Sequence, residues 1–464
     1  MVAAVTERCP LSTLLLKHAD VVLCQDETNR EIANGGLFAR DGVIEAVAAS
    51  DELPQTADRV IDLSGHVLMP GLVNTHHHLY QNLTRLLPEA QDAPLFGWLQ
   101  ALYPVWERLS PEAFHVSAQL GLAELLLSGC TTSSDHQYIF PNGSRLDDTI
   151  AAAGETGIRF MATRGSMSVG ESSGGLPPDS LVEREEDILA DSERLIGRYH
   201  DPAAASRLQV ALAPCSPFSV SQDLMRESAV LARKHGVRLH THLAENTEDV
   251  AYSLERFGRS PGEYAEDLGW VGEDVWHAHC VQLDERDIRR FAATGTAVAH
   301  CPCSNLRLAS GVAPVMAMLR AGVPVGLGVD GSSSNDGGHL LAEARQALLL
   351  QRLREGAAGC SVREMLRVAT LGGARALGRA DHLGALQVGY QADCAAFAVD
   401  DLWHAGAVHD PVASLLLCHS TNASYTVVGG DVLVDKGELA VLDLPGLLQR
   451  HRDMAVRLGR GERL

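Results

Sequence analysis

Between about residue 68 and residue 380, short apolar runs recur along the chain. Each is followed by a longer stretch in which apolar residues return every three to four positions. The short runs predict strands near Leu72–Thr75, Cys130–Asp135, Ile158–Thr163, Gln209–Ala213, Arg238–Thr241, Val275–His279, Ala297–His300 and Val325–Val329. The longer stretches predict helices, among them Ala113–Leu127, Asp187–Tyr199, Leu224–His235, Glu285–Ala293 and Leu340–Leu353. Eight strand-then-helix units over about 300 residues predict a (β/α)8 TIM barrel. An open doubly wound sheet ranks below it, because no Gly-x-Gly-x-x-Gly follows the first strand.

The chain ends carry a different pattern. Val21–Cys24, Gly35–Ala39 and Val43–Ile44 are apolar runs, and Asp41-Gly42 between the last two is a hairpin signal. Ala392–Phe397 and Thr426–Val434 repeat the pattern near the C-terminus. The expected organisation is a barrel over residues 68–380 and a small β-sandwich built from residues 1–67 and 381–464, with a terminal helix. The Gly-, Ser- and Pro-rich stretch Gly170–Pro178 follows the third strand and is read as a candidate active-site lid.

Composition narrows the partners. Of 464 residues, 46% are hydrophobic and 21% charged, which suits a large core. Lys and Arg number 38 against 59 Asp and Glu, a net charge of −21, so neither nucleic acid nor an anionic membrane is an expected partner. No apolar window approaches the roughly 18 residues of a membrane span. The run Leu14–Leu16, ended by Lys17, is too short for a secretory signal. Ten cysteines, spread from Cys9 to Cys418 without a disulfide spacing, point to a reducing cytoplasm. A homo-oligomer is expected, and Arg450, Arg452, Arg457, Arg460 and Arg463 read as a solvated or subunit-facing helix surface.

The candidate chemistry lies at strand ends, where barrel enzymes carry their reacting groups. The first strand ends in His76-His77-His78; alternation points His76 and His78 together and His77 away. The fifth ends in His240-Thr241-His242-Leu243-Ala244-Glu245 and the sixth in His277-Ala278-His279. One histidine of each pair is expected to face the axis, His242 and His279, with His240 and His277 turned away. Asp330 stands at the mouth of the eighth strand. His76, His78, His242 and Asp330 supply three imidazoles and a carboxylate, a shell for one divalent metal per chain, Zn²⁺ ahead of Fe²⁺. Glu245, three residues past His242, is placed to reach a water on that metal without ligating it. Cys280 and His300-Cys301-Pro302-Cys303 lack the Cys-x2–4-Cys spacing of a second zinc site.

Met69–His78 resembles the first-strand signature of the amidohydrolase superfamily. The resemblance continues through His242-Leu243-Ala244-Glu245, Ala278-His279-Cys280, Gly328-Val329-Asp330 and Gly384-x-Leu386-x-x-Gly389-x-x-Ala392-Asp393, so it spans nearly the whole chain. Leu102–Trp106, Thr163–Ser168, Ala213–Phe218 and Ser304–Gly311 resemble the bacterial 8-oxoguanine deaminases within its deaminase branch. The resemblance implies a mononuclear metal and hydrolysis of a cyclic amidine C–N bond, converting the oxidised purine 8-oxoguanine to uric acid and ammonia. Isoxanthopterin-type pterin deaminases and hydroxyatrazine-type aminotriazine hydrolases are the near alternatives, and a non-catalytic barrel scaffold is the alternative of another class. It further implies that Asp330 or His279 takes a proton from the attacking water and that His279 steadies the attacking oxygen. Glu245 protonates the ring nitrogen beside the attacked carbon. Gln81, Arg164 and Cys215 are the implied substrate contacts, with Tyr103 and Trp106 as walls for a flat ring. The first insert reads Phe96-Gly97-Trp98 with no Glu before the Trp, which argues against a nucleoside substrate.

Overall fold

Eight parallel strands close into a barrel: Leu72–Asn74, Cys130–Gln137, Arg159–Ser166, Leu208–Pro214, Arg238–Leu243, Val275–His279, Ala297–His300 and Val325–Leu327. Each lies within a few residues of its expected position. The structure, a computed structural model, describes residues 13–464; Cys9 and the first twelve residues of the expected N-terminal sheet segment lie outside the described residues. Alternation along the strands separates two layers. Phe160, Ala162, Leu239, Val298 and Leu327 pack outward against helix residues such as Leu125, Phe291 and Leu348. Val73, Met161, Ala211, Trp276, Ala297 and Ala299 form a separate buried cluster.

The chain ends build a second unit. Nine strands form one hydrogen-bonded sheet, running from Glu438–Leu439 through Asp431–Asp435, Tyr425–Val428, Cys394–Ala398, His66–Pro70, Thr13–Leu23 and Glu31–Arg40 to Val43–Ala49; Arg59–Asp62 also pairs with Thr13–Leu23. Most pairings are antiparallel; the two from Thr13–Leu23 to Arg59–Asp62 and to His66–Pro70 are parallel. The sheet curls so that Ile44 and Val47 share a core with Tyr425, Val427 and Val432 from the other end of the chain. Strand His66–Pro70 of this sheet passes into the first barrel strand through Gly71 alone, where a Cβ would lie 2.1 Å from Oγ1 of Thr131.

Between the first two barrel strands lie a 3₁₀ turn, Leu79–Thr84, and helix Leu95–Trp106. Their side chains Tyr80, Trp98, Leu99, Tyr103 and Trp106 pack with Tyr138 and Phe218 over the C-terminal mouth of the barrel. The terminal helix Leu444–Gly459 sets Leu447, Met454 and Leu458 into the same cluster. The amide N–H of Leu464 donates to the Arg108 carbonyl at 3.0 Å. This helix is therefore bonded to the chain's own mouth insert by its apolar face, and Arg450 of its polar face reaches Oε1 of Gln119 at 3.3 Å.

Candidate metal and active site

The groups at the barrel mouth converge. Nε2 of His78 lies 3.2 Å from Nε2 of His242. Oδ1 of Asp330 lies 3.3 Å from Nε2 of His76 and 3.3 Å from Nε2 of His78. Nitrogens each ~2.05 Å from a tetrahedral zinc stand roughly 3.3 Å apart, so these separations are those of a ligand set. Nε2 of His76 is buried and has no hydrogen-bond partner, as a lone pair reserved for a metal requires. The other ring nitrogens are committed. Nδ1 of His78 donates to the His136 carbonyl at 2.7 Å and Nδ1 of His242 to the Cys215 carbonyl at 2.6 Å. Burial drives all three imidazoles below their ordinary range, His242 to about 3, which keeps them neutral.

Beside this cluster stand two proton-handling groups. Nε2 of His279 lies 3.6 Å from Oε2 of Glu245 and 3.9 Å from Oδ2 of Asp330. Nδ1 of His279 donates to Oδ1 of Asn305 at 3.0 Å, which fixes the ring. Burial pushes the Glu245 carboxyl up to about 7. Burial also opposes charge on His279, yet the carboxylates of Glu245 and Asp330 outweigh it and hold the ring above its usual value. Asp330 accepts from the backbone N–H of Gly331 at 2.7 Å and from Oγ of Ser334 at 3.1 Å.

The turns that aim these groups are strained. Ala244, His279, Cys280 and Asp330 have φ of 51°, 68°, 50° and 63°, left-handed values that cost a non-glycine residue ~1–3 kcal/mol each. At His279 the consequence is direct. By alternation His279 would share the outward face of His277, whose ring stacks on Phe291 and whose Nε2 donates to the Trp270 carbonyl. The left-handed backbone swings His279 in.

A narrow cavity opens onto the cluster. Leu95, Trp98, Leu99, Tyr103, Tyr138, Phe218 and Leu308 form its apolar wall, while Gln81, Cys215 and Ser334 join the histidines and acids as its polar groups. Among the described residues no lysine or arginine lines it. Both amide atoms of Gln81 are buried without a partner. Burial pushes the Cys215 thiol up to about 12, so it is a neutral wall, and its carbonyl anchors His242.

Three expectations are corrected. Arg164 is not in the cavity. It points outward, pairs with Asp191 at 2.9 Å and Glu183 at 2.8 Å, and lies over the Phe140 ring. The roof is Leu95–Trp106 with Phe218 and Leu308, and Leu176 of Gly170–Pro178 packs against the same aromatic cluster without lining the cavity. His240 does not turn away. Residues two apart on a strand share a face, so His240 sits one layer beneath His242, with Nε2 at 2.8 Å from Nδ1 of His76. Trp106 packs among Tyr80, Trp98 and Tyr103 behind the cavity wall.

Sequence reasoning missed His136, Trp98, Tyr138, Phe218 and Ser334. His136, on the second barrel strand, stacks on His242 and brings a fourth imidazole within 4.8 Å of the other three. Its Nε2 donates to the Ala213 carbonyl at 2.8 Å, leaving Nδ1 unpartnered. The signal available for His136 was its place at the end of an apolar-flanked strand, the criterion applied to His76 and His242. Cys301 gathers with His76 and His279, but burial raises its thiol well above the ordinary range, which keeps it protonated.

Comparison with known proteins agrees with this arrangement. Residues 67–434 match the Amidohydrolase family. An 8-oxoguanine deaminase of Pseudomonas aeruginosa (strain PAO1) is 50% identical over 429 residues, 92% of this chain and 95% of that protein. An isoxanthopterin deaminase from an unknown prokaryotic organism is 39% identical over 79% of this chain and 80% of its own. The crystal structure of an atrazine chlorohydrolase from Arthrobacter aurescens TC1 complexed with zinc superposes with a TM-score of 0.91 at 35% identity, over 95% of this chain and 100% of that one.

Proposed function

The chain belongs to the amidohydrolase family, and on that premise we propose that it is a hydrolytic deaminase converting 8-oxoguanine to uric acid and ammonia. The observation that carries the substrate reading is the unpartnered Gln81 amide. It faces an aromatic-walled cavity that also holds the converged histidines and acids. An amide offers a donor and an acceptor together, the pattern needed to pair with the edge of a lactam or amidine ring. A cavity walled by aromatic rings, with no lysine or arginine among its described lining residues, favours a small, flat heterocycle over a phosphate or carboxylate ligand. The 50% identity to an 8-oxoguanine deaminase supports the same choice.

His76, His78, His242 and Asp330 would hold one zinc ion per chain, with iron(II) the alternative. Bound there, the ion supplies a Lewis acid that makes water nucleophilic near neutral pH. The chain's own groups do the rest. Asp330 accepts the proton of the attacking water, its second oxygen steadied by Ser334, and gives it to the amino group as the C–N bond breaks and ammonia leaves. Glu245, with a carboxyl raised to about 7, retains a proton to give to the ring nitrogen beside the amino-bearing carbon. His279, held by Asn305, donates from Nε2 to the oxygen that gains charge. Tyr103 and Cys215 wall the ring, beneath the roof formed by Leu95–Trp106. A reducing cytoplasm is the compartment we infer, in keeping with nine free thiols among the described residues.

A pterin is the second reading, favoured by the isoxanthopterin deaminase relative. The test is ammonia release by the purified protein from 8-oxoguanine, guanine, isoxanthopterin and hydroxyatrazine, with metal content measured alongside. The highest kcat/KM is expected for 8-oxoguanine, and Glu245→Gln is expected to lose about 10²–10⁴-fold in kcat with its metal retained. Inactivity on 8-oxoguanine beside rapid turnover of another ring overturns the substrate reading.

A further inference from the structure

His76 differs from the other two candidate ligand imidazoles in what its Nδ1 faces. His78 and His242 rest theirs on backbone carbonyls. Nδ1 of His76 rests instead on Nε2 of His240, at 2.8 Å. Nδ1 of His240 in turn lies 2.8 Å from the carbonyl oxygen of Trp276. A carbonyl can only accept, so His240 carries a proton on Nδ1.

The His240 ring is fully buried. It stacks on the Trp276 indole at 4.4 Å with an interplanar angle of 18°, and the His136 ring closes its other side at 5.0 Å. Among the described residues no ion pair or hydrogen bond joins it to a carboxylate. A second proton would leave an unpaired buried cation, which is costly. His240 is then neutral, its Nε2 lone pair free to accept. The proton between the two rings belongs to His76, on Nδ1. That leaves the lone pair of His76 on Nε2, the buried atom without a partner, 3.3 Å from Asp330.

We propose that His240 is a positioning residue for the metal. Through the relay Trp276 carbonyl, His240, His76, it holds His76 in the one tautomer and rotation that present Nε2 to the ion. It also makes His76 a stronger donor than its two companions, because an imidazole nitrogen is a better hydrogen-bond acceptor than an amide oxygen. The proposal rests on the reading of His76 as a metal ligand.

Two measurements test it. In chelator competition, His240→Phe keeps a flat ring against Trp276 but removes the acceptor, and is expected to weaken zinc binding ~10–100-fold and to shift the visible spectrum of the cobalt(II) form. His240→Gln returns an acceptor oxygen near the place of Nε2 and is expected to stay within about threefold of wild type. Unchanged zinc affinity in His240→Phe overturns the proposal, as does a His240→Gln variant as weak as His240→Phe. The second measurement needs no variant. Nitrogen-15 NMR of histidine-labelled wild-type protein, free of metal, is expected to show both His76 and His240 protonated on Nδ1. A His76 protonated on Nε2 overturns the relay. Wild-type protein that takes up no zinc overturns the metal reading instead, and the NMR result still decides the relay.

Discussion

Gln81 shows at the level of one residue how function and stability separate. Its amide is buried and unpaired, and it fits only because Gly331 is bare: a Cβ there would lie 1.9 Å from Oε1. An unsatisfied buried amide costs the free protein ~1–3 kcal/mol, which a bound ring can recover. Gln81→Leu is therefore expected to lower kcat/KM for 8-oxoguanine about 10–100-fold while leaving the thermal midpoint unchanged or raised. Steady-state kinetics beside thermal unfolding read both effects, and a lowered midpoint with unchanged kinetics would assign Gln81 to packing. The place of Gln81 in the cavity was legible from its position just past a strand-end histidine pair. Strand alternation accounts for the residues that stand elsewhere than expected. The rule that parts His76 from His77 also sends Arg164 outward with Phe160 and Ala162, to Asp191 and Glu183. The same rule keeps His240 on the side of His242. His279 breaks it, through a left-handed backbone that nothing in its neighbours' side chains announces.

Among elements, the strands were the most legible, because most are short apolar runs bounded by turn residues, with the Ser- and Thr-rich Cys130–Gln137 as the exception. The connections between them were less so. The cavity roof comes from Leu95–Trp106, whose apolar pattern is that of any packed helix, whereas the Gly- and Pro-rich loop expected to cover the site lines none of it. The turn that carries Asp330 is held by a group with no local signature. Glu343, on helix Leu340–Glu355, accepts from the backbone N–H of Cys303 at 3.2 Å and from Nδ2 of Asn335 at 2.7 Å. Asn335 also donates to the Val329 carbonyl at 2.6 Å, next to Asp330. Burial pushes the Glu343 carboxyl from 4.5 up to about 7. As pH rises from 4.5 to about 7 the unfolded chain's carboxyl ionises while the folded one keeps its proton. The folded state then binds more protons, so this group's contribution to stability falls across that window and is level above it. Glu343→Gln removes the effect. Its midpoint relative to wild type should rise steadily between pH 4.5 and about pH 7; parallel melting curves across that window would place the carboxyl's ionisation elsewhere.

At the scale of the whole molecule, the sequence tells that two β-rich ends flank a barrel but not how the units are fastened, because one of the fastenings is a buried ion pair between residues 234 positions apart. Arg159, on the third barrel strand, meets Asp393, just before sheet strand Cys394–Ala398, through Nε at 2.7 Å and Nη2 at 2.9 Å. The remaining donors of Arg159 are satisfied by the carbonyls of Ala205 and Ser206 and by Gln391. Asp393 also receives the N–H of Gly429 at 2.7 Å, and its carbonyl receives that of Gly71 at 3.0 Å. One carboxylate thus ties the barrel, the entry into its first strand and the C-terminal arm of the sheet. Removing it strands a buried guanidinium, at a cost of about 3–5 kcal/mol, whereas replacing both partners by apolar groups avoids most of that cost. Asp393→Leu is accordingly expected to lose about 3–5 kcal/mol in denaturant unfolding, and Arg159→Met combined with Asp393→Leu to recover most of the loss. Neither residue lines the cavity, so KM for the substrate should not move in either protein. A double variant as unstable as the single one would mean that the joint depends on charge itself and not on satisfying Arg159, and a shifted KM would mean that the sheet sets the geometry of the mouth.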